Sequence, residues 1–170
     1  MPFAERNKED RLPEAYLLFE VAGATYAVPA SMVQFIEMVE KITRVPNAPD
    51  FVEGVVSARG QIIPVISVRK RFHMPPAPVD LRTRIIVIGL QERLIGMLVD
   101  TAREFIRINP DEILAPPEMI TGQMVEYIEG VIRRKDRLLL IVNLQRLFTE
   151  PEQTAVVDSS LHVPETKETE

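Results

Sequence analysis

The chain offers few side chains of the kinds that catalyse reactions or bind metals. Its 170 residues include no cysteine, which excludes thiolate nucleophiles, disulfides and cysteine-bound metals. Imidazole comes only from His73, beside a proline-rich stretch, and His162, near the end of the chain. Two such separated histidines do not form a metal site, and the neighbouring carboxylates Asp111 and Glu112 are typical of surface charge. We therefore expect no metal and no cofactor.

Sequence motifs of the common enzyme classes are missing as well. The chain has no glycine-rich phosphate loop, no serine nucleophile elbow, no HExxH pair and no calcium loop. A protein without a nucleophile and base pair, or a metal, has little with which to perform acid, base or covalent catalysis. The sequence therefore predicts a protein that is not an enzyme and that acts through its surfaces.

The distribution of charge argues against nucleic acid as a partner. The formal net charge is −5, and residues 149–170 contain six acidic residues against the single base Lys167, so that 1 − 6 = −5 accounts for all of it. The remaining body is balanced and has no electrostatic drive towards phosphate backbones. We predict that 149–170 is an acidic flexible tail and that 1–13 is a flexible N-terminus.

Hydropathy also bears on location. No run of 18 apolar residues is present, which predicts no direct membrane insertion, and the first residues are charged rather than apolar, which does not fit a secretory signal. The expected location is the cytoplasm.

The elements that must position any functional surface occur twice. Residues 51–72 recur without a gap as residues 127–148, at an offset of 127 − 51 = 76, and residues 24–29 match residues 93–98 more faintly at an offset of 69. The two copies are separated near 73–80, a stretch with three prolines. The chain therefore contains one structural unit in two copies.

Each copy shows about five short segments rich in branched and aromatic residues, which predicts strands and favours barrels or sandwiches. The runs Ile62–Ile66 and Leu138–Val142 are almost continuously apolar, which indicates that both faces of these strands are covered. One face would fill the strand's own unit and the other would press on the sister unit. The predicted strands are Ala15–Val21, Thr25–Pro29, Val33–Val39, Gly54–Ala58, Gln61–Ser67, Arg84–Leu90, Leu94–Val99, Glu104–Ile108, Tyr127–Arg133 and Arg137–Asn143.

Two structural details follow from single residues. Short helical turns are expected at Val68–Phe72 and Leu144–Phe148, because Ser67 and Asn143 precede them and both residue types cap helix N-termini. Pro64 cannot donate a backbone hydrogen bond, which predicts an edge or a bulge in its strand.

Several spaced motifs fall in order along the chain: Gly23-x-x-Tyr26-Ala27-Val28-Pro29, Val52-Glu53-Gly54-Val55, Arg59-Gly60, Arg69-x-Arg71-Phe72, Gly96-Met97-Leu98-Val99-Asp100 and Tyr127-Ile128-Glu129-Gly130-Val131. Taken together, they resemble the CheW-like family of chemotaxis coupling proteins over about residues 14–148.

The resemblance implies an all-β fold of two five-stranded β-barrels around a shared hydrophobic core, the first mainly 14–76 and the second mainly 80–148. It also implies a non-catalytic adaptor in a chemosensory array. The partners would be the cytoplasmic tip helices of chemoreceptors and the regulatory domain of a CheA-type histidine kinase. The alternative from the sequence is a small-ligand binding module that uses the pocket between the two barrels.

For the site, the resemblance places Arg59 and Gly60 at a turn that couples receptor and kinase. The other interpretation is an ordinary hairpin, in which Gly60 supplies a positive φ and Arg59 is merely solvated. Gly54 is assigned to the same coupling surface or to a close-approach or bulge position within the strand. Its repeat partner Gly130 favours the second interpretation.

Phe35 departs from the pattern of the family, where many relatives place a glutamate. If the ring is exposed, with Val33 nearby, it would be an apolar anchor on the coupling surface, and the chain would suit a specialised motility or developmental pathway. If the strand register has shifted locally, Phe35 is part of the core. The residues alone leave both possibilities open.

Overall fold

The computed structural model of the protein describes residues 12–117 and 125–148, and these form ten strands and two short helices. All ten predicted strands and both helical turns are confirmed, and most strand ends agree within two residues. The elements are β1 Glu14–Val21, β2 Ala24–Pro29, β3 Val33–Met38, β4 Val52–Ala58, β5 Gln61–Ser67, α1 Val68–Arg71, β6 Arg84–Leu90, β7 Arg93–Val99, β8 Thr101–Ile108, β9 Ile128–Arg134, β10 Arg137–Val142 and α2 Leu144–Leu147.

The strand β8 starts earlier than its sequence pattern predicts. Leu18 of β1 pairs with Glu104 and the next residue, Phe19, pairs with Ala102, so that Arg103 is an extra residue in the strand. Such a bulge interrupts the alternation of side chains from which strands are recognised. The pattern therefore predicted only the part of β8 that follows the bulge.

The strands form two five-stranded sheets, which confirms the predicted all-β fold in two parts. Sheet one has the order β8-β1-β2-β10-β9 and sheet two has the order β3-β6-β7-β5-β4. Each sheet thus takes three strands from one half of the chain and two from the other, so the units predicted as mainly 14–76 and mainly 80–148 exchange strands. The exchange is made by parallel pairing of β2 with β10 and of β5 with β7 and by antiparallel pairing of β1 with β8 and of β3 with β6, contacts that a repeat in sequence does not reveal.

The sheets are open rather than closed as barrels, since no ladder in the described ranges joins β8 to β9 or β3 to β4. A single β-bridge covers one edge of each sheet instead. Thr43 exchanges two backbone hydrogen bonds with Val55 of β4, at 2.8 and 2.9 Å, and Leu114 does the same with Val131 of β9. The bridged strand residues Val55 and Val131 are repeat equivalents, so the two copies have the same strand position bridged.

Three clusters of buried side chains confirm the predicted shared core. The central cluster draws on both sheets and includes Leu17, Tyr26, Ile66 and Met97. Each sheet also encloses a smaller cluster of its own on its other face. The apolar run in β5 contributes to two clusters. Ile63 and Val65 lie in the smaller cluster that sheet two encloses, its inner cluster, while Ile66 lies in the central one.

The caps predicted for the helical turns are both present. Ser67 Oγ accepts a hydrogen bond from Lys70 N at 3.2 Å, and Asn143 Oδ1 accepts one from Arg146 N at 3.1 Å. The turns also meet, because Arg71 Nε donates to the carbonyl of Leu147 at 3.1 Å.

No helix of the described ranges is long and apolar enough to cross a membrane.

The prediction for Pro64 was wrong in its location. Its strand β5 lies inside sheet two, between β7 and β4, and the bulge is in β4, between Val52 and Gly54. Val55, opposite Pro64, directs both of its backbone hydrogen bonds to Thr43, away from β5. The missing amide hydrogen of Pro64 therefore costs the β4–β5 ladder nothing.

Candidate partner-binding surface

The β4–β5 hairpin presents Arg59 and Gly60 at its tip. Their φ angles are 50° and 76°, which is the backbone of a two-residue type I′ turn. The β1–β2 turn at Ala22 and Gly23 has the same signs, with φ of 51° and 82°. Hairpin geometry thus accounts for Gly60, as the structural interpretation predicted, but it does not require an arginine beside it.

Phe35 lies on β3, at the edge of sheet two, and is half-buried. The pairing with β6 slips between Val33, opposite Ile88, and Phe35, opposite Val87. The ring packs against the inner cluster of sheet two, whereas Val33 packs against the central core. The local register shift that the sequence left open is present, and the half-buried ring weakens the case for an exposed anchor and for a specialised pathway.

Arg59, at the tip of the β4–β5 hairpin, is in contact with Phe35 on β3, the strand at the other edge of sheet two. The Arg59 guanidinium carbon is 4.1 Å from the centroid of the Phe35 ring, which is a cation–π geometry. Glu37, two residues along β3, places Oε1 3.6 Å from Arg59 Nε. The Arg59 side chain is 64% exposed, so the cation is held at the surface and not enclosed.

The surface around these residues is a shallow open groove of ≈ 420 Å³ between β3, the segment that follows it, and β4. Met38, which is 56% exposed, lies in the groove, and Ile62, which is 60% exposed, follows the hairpin turn. A stacked arginine beside exposed apolar side chains is the composition found at the centre of protein interfaces. The groove is lined by Glu37, Met38, Glu40, Lys41, Thr43, Val56, Ser57, Ala58, Arg59 and Ile85.

The two repeat glycines, Gly54 and Gly130, have a role in packing and are not part of this surface. Gly54 is buried under the backbone of Thr43, whose carbonyl oxygen a Cβ would strike, and its φ is 145°. A Cβ on Gly130 would lie 2.6 Å from Ile113 Cγ2. Both glycines make room for the segments that cover the sheet edges, and this is the close approach predicted for Gly54.

The structure therefore brings Arg59, Gly60 and Phe35 together and leaves Val33 and Gly54 apart from them. Sequence reasoning missed Glu37. Its position was open to inference, because residues two apart on a strand point to the same face, so Phe35 and Glu37 share one side of β3.

A second polar contact, also not predicted, joins the two sheets. Arg69 of α1 forms a two-point ion pair with Asp100, with Nε–Oδ1 at 2.8 Å and Nη2–Oδ2 at 2.6 Å. Asp100 Oδ2 also accepts the N–H of Ala22 in the β1–β2 turn of sheet one, at 2.8 Å. The hydrogen bonds from Arg69, and then that from Ala22, hold the pKa of Asp100 below its usual range.

A small pocket of ≈ 230 Å³ lies beside α2 and the ends of β2 and β10, and it is lined by Pro29, Met32, Glu129, Val142, Asn143, Leu144 and Gln145. Burial raises the pKa of Glu129, and Arg146 opposes that change. Pockets for small molecules usually enclose about 300–1,000 Å³, so this one gives the ligand-binding alternative little support. In the described ranges, no three histidine, aspartate or glutamate side chains are grouped so as to hold a metal.

Comparison with known proteins gives consistent matches. The model of the CheW-like domain family matches residues 15–152. The chemotaxis protein CheW of Bacillus subtilis is 33% identical over 89% of this chain and 98% of its own length, and that of Klebsiella aerogenes is 30% identical over 86% and 87%. The crystal structure of the scaffolding protein TtCheW from Thermoanaerobacter tengcongensis is similar with a TM-score of 0.75 at 30% identity, covering 83% of this chain and 96% of that one.

Proposed function

The chain belongs to the CheW-like domain family, and from this premise we propose that it is a non-catalytic adaptor that couples chemoreceptors to a CheA-type histidine kinase. The observation that carries the proposal is the match along nearly the whole length of a chemotaxis protein and of a scaffolding protein. An adaptor of this kind works in the cytoplasm, at receptor arrays on the inner face of the membrane.

The groove at the β4–β5 hairpin supports the proposal because it is built for protein contact. Arg59 offers a fixed cation, Phe35 supports it, and Met38 and Ile62 offer apolar contact area. A receptor tip helix or a strand edge of the kinase regulatory domain could contact such a surface. Signal transfer through the adaptor then requires that its contacts differ in free energy between the two receptor states.

The test is a binding titration of the purified chain with a kinase regulatory domain and, separately, with a receptor tip fragment. We expect Arg59→Ala to weaken binding of at least one partner about tenfold, since a stacked interface arginine contributes more than 1 kcal/mol. The melting temperature should stay nearly unchanged, because the Arg59 side chain is exposed.

Arg93→Ala is the matched control. Arg93 is also an exposed arginine at a sheet-two hairpin, but it lies on β7, outside the groove. Equal losses in both variants would show a general effect of charge. If the wild-type chain binds neither protein, the adaptor function is wrong.

A further inference from the structure

Arg59 combines two properties that no other arginine of the described residues shares. Its guanidinium is stacked on an aromatic ring, and no hydrogen bond among the described residues involves it. Arg71 is also stacked, but it donates to a carbonyl in the protein interior. Arginines that do donate hydrogen bonds within the protein are Arg69, Arg71, Arg84, Arg103 and Arg134.

The stack fixes the cation while leaving its donors available. A ring against one face restricts the plane of the guanidinium, so that less rotamer freedom is lost when a ligand binds at its edge. That edge carries five N–H donors in a fork that matches the two oxygens of a carboxylate. Arg59 therefore has the geometry of a side chain that is positioned to bind a ligand, and not that of a side chain that stabilises the fold.

We propose that Arg59 is a preformed binding site for a carboxylate of the protein partner, with Phe35 as the platform that determines this specificity. The identity of the ligand as a protein carboxylate rests on the adaptor function proposed above. Glu37 is an internal carboxylate that the partner's carboxylate replaces on binding.

The weakness of the Arg59–Glu37 contact makes that exchange feasible. Glu37 Oε1 lies 3.6 Å from Arg59 Nε, which is too long for a good hydrogen bond. Both side chains are more than one-third exposed, at 64% and 38%, and exposed pairs of this kind stabilise proteins little. A partner carboxylate that approaches the fork with two short hydrogen bonds would be the better acceptor.

The charges and apolar groups of the groove narrow the chemistry of the partner further. Glu37 and Glu40 line the groove together with Lys41 and Arg59, so a phosphate dianion meets more repulsion here than a single carboxylate does. Met38 in the groove is exposed, and so is Ile62, which pairs with the groove residue Ser57. The partner segment is thus an aspartate or glutamate flanked by apolar side chains.

One test needs no partner and uses the full chain. The Arg59 Nε–Hε resonance in NMR spectra should lie upfield, because the proton is shielded by the Phe35 ring, and Phe35→Leu should abolish this shift. Titration with sodium propionate should move the resonance saturably, whereas sodium chloride at equal ionic strength should not. Arg93 Nε–Hε is the internal control. If Arg59 and Arg93 respond alike to propionate, the proposed carboxylate site does not exist.

A second test uses the protein partner and separates this proposal from the adaptor function. Arg59→Lys keeps the charge but removes the fork, and Phe35→Leu keeps apolar volume but removes the platform. We expect each to weaken partner binding about fivefold to tenfold. The double variant should lose less than the product of the two, because both remove one recognition unit. Wild-type affinity in Arg59→Lys would overturn the proposal while leaving the adaptor function intact. If the wild-type chain binds neither protein, the adaptor function fails and the propionate titration alone decides.

Discussion

At the scale of single residues, the polar contacts of Arg59 and of Arg69 differ in their exposure. Those of Arg59 face outward, whereas the Arg69–Asp100 pair is partly buried and links α1, the end of β7 and the β1–β2 turn. A two-point ion pair that also accepts a backbone N–H leaves unpaired donors behind if the carboxylate is removed. The position of the two sheets should therefore depend on the charge of Asp100.

Removing that charge should destabilise the fold in a pH-dependent way. We expect Asp100→Asn to lower the free energy of unfolding at pH 7 by about 2 kcal/mol, the usual worth of hydrogen bonds to a charged group. The pKa of Asp100 is lowered in the folded state, so its stabilising effect is complete above the unfolded value of about 4 and is lost as the pH falls through the folded value. Urea titrations of both proteins at pH 7 and at low pH measure the difference.

Asp136→Asn, at the exposed β9–β10 turn, is the control and should change stability little at either pH. The difference between wild type and Asp100→Asn should shrink at low pH. A difference that stays constant would mean that the carboxylate charge of Asp100 does not contribute.

At the scale of the elements, the sequence was a good guide to strands and caps and a poor guide to edges. Strands alternate or run apolar over several residues, and Ser67 and Asn143 act on their own neighbours, so both signals are local. The bridges of Thr43 to Val55 and of Leu114 to Val131 join segments distant in sequence and have no local pattern. In the sequence, these bridges were indicated only by the repeated glycines Gly54 and Gly130. The structure shows their role, because each lies under the segment that covers the sheet edge.

The two repeat glycines, Gly54 and Gly130, should differ in how far substitution by alanine destabilises the protein. In Gly54→Ala the new Cβ meets backbone at Thr43, and φ is 145°, whereas in Gly130→Ala it first meets the movable Ile113 side chain. We expect losses of about 3 and about 1 kcal/mol respectively, within the range for overpacking and backbone strain. Chemical denaturation gives these values.

Amide hydrogen exchange locates the damage, because the Val55 N–H donates to Thr43 at 2.8 Å. This amide should lose protection in Gly54→Ala more than the amides of β6 do. Equal losses of unfolding free energy for Gly54→Ala and Gly130→Ala would show that the backbone of Thr43 is not the reason for the glycine at position 54.

At the scale of the whole molecule, the repeat in the sequence and the division of the structure do not coincide. The repeat predicts two successive units, and the structure has two sheets that each combine strands from both halves. Side-chain patterns specify that a strand is buried and on which faces, but not which strand lies beside it. The shared core could be predicted for that reason, and the exchange of strands between the copies could not.

This exchange predicts that neither half of the chain folds alone. A fragment of residues 14–76 contains β1 and β2 without their neighbours β8 and β10, and it contains β3 to β5 without β6 and β7. Both resulting sheets would have bare central edges and half of the common core exposed to water. We expect the 14–76 and 77–148 fragments each to lack cooperative thermal unfolding by circular dichroism, and an equimolar mixture to regain it. Cooperative unfolding of either isolated fragment would instead support successive, independent units and would contradict the pairing of β2 with β10 and β5 with β7.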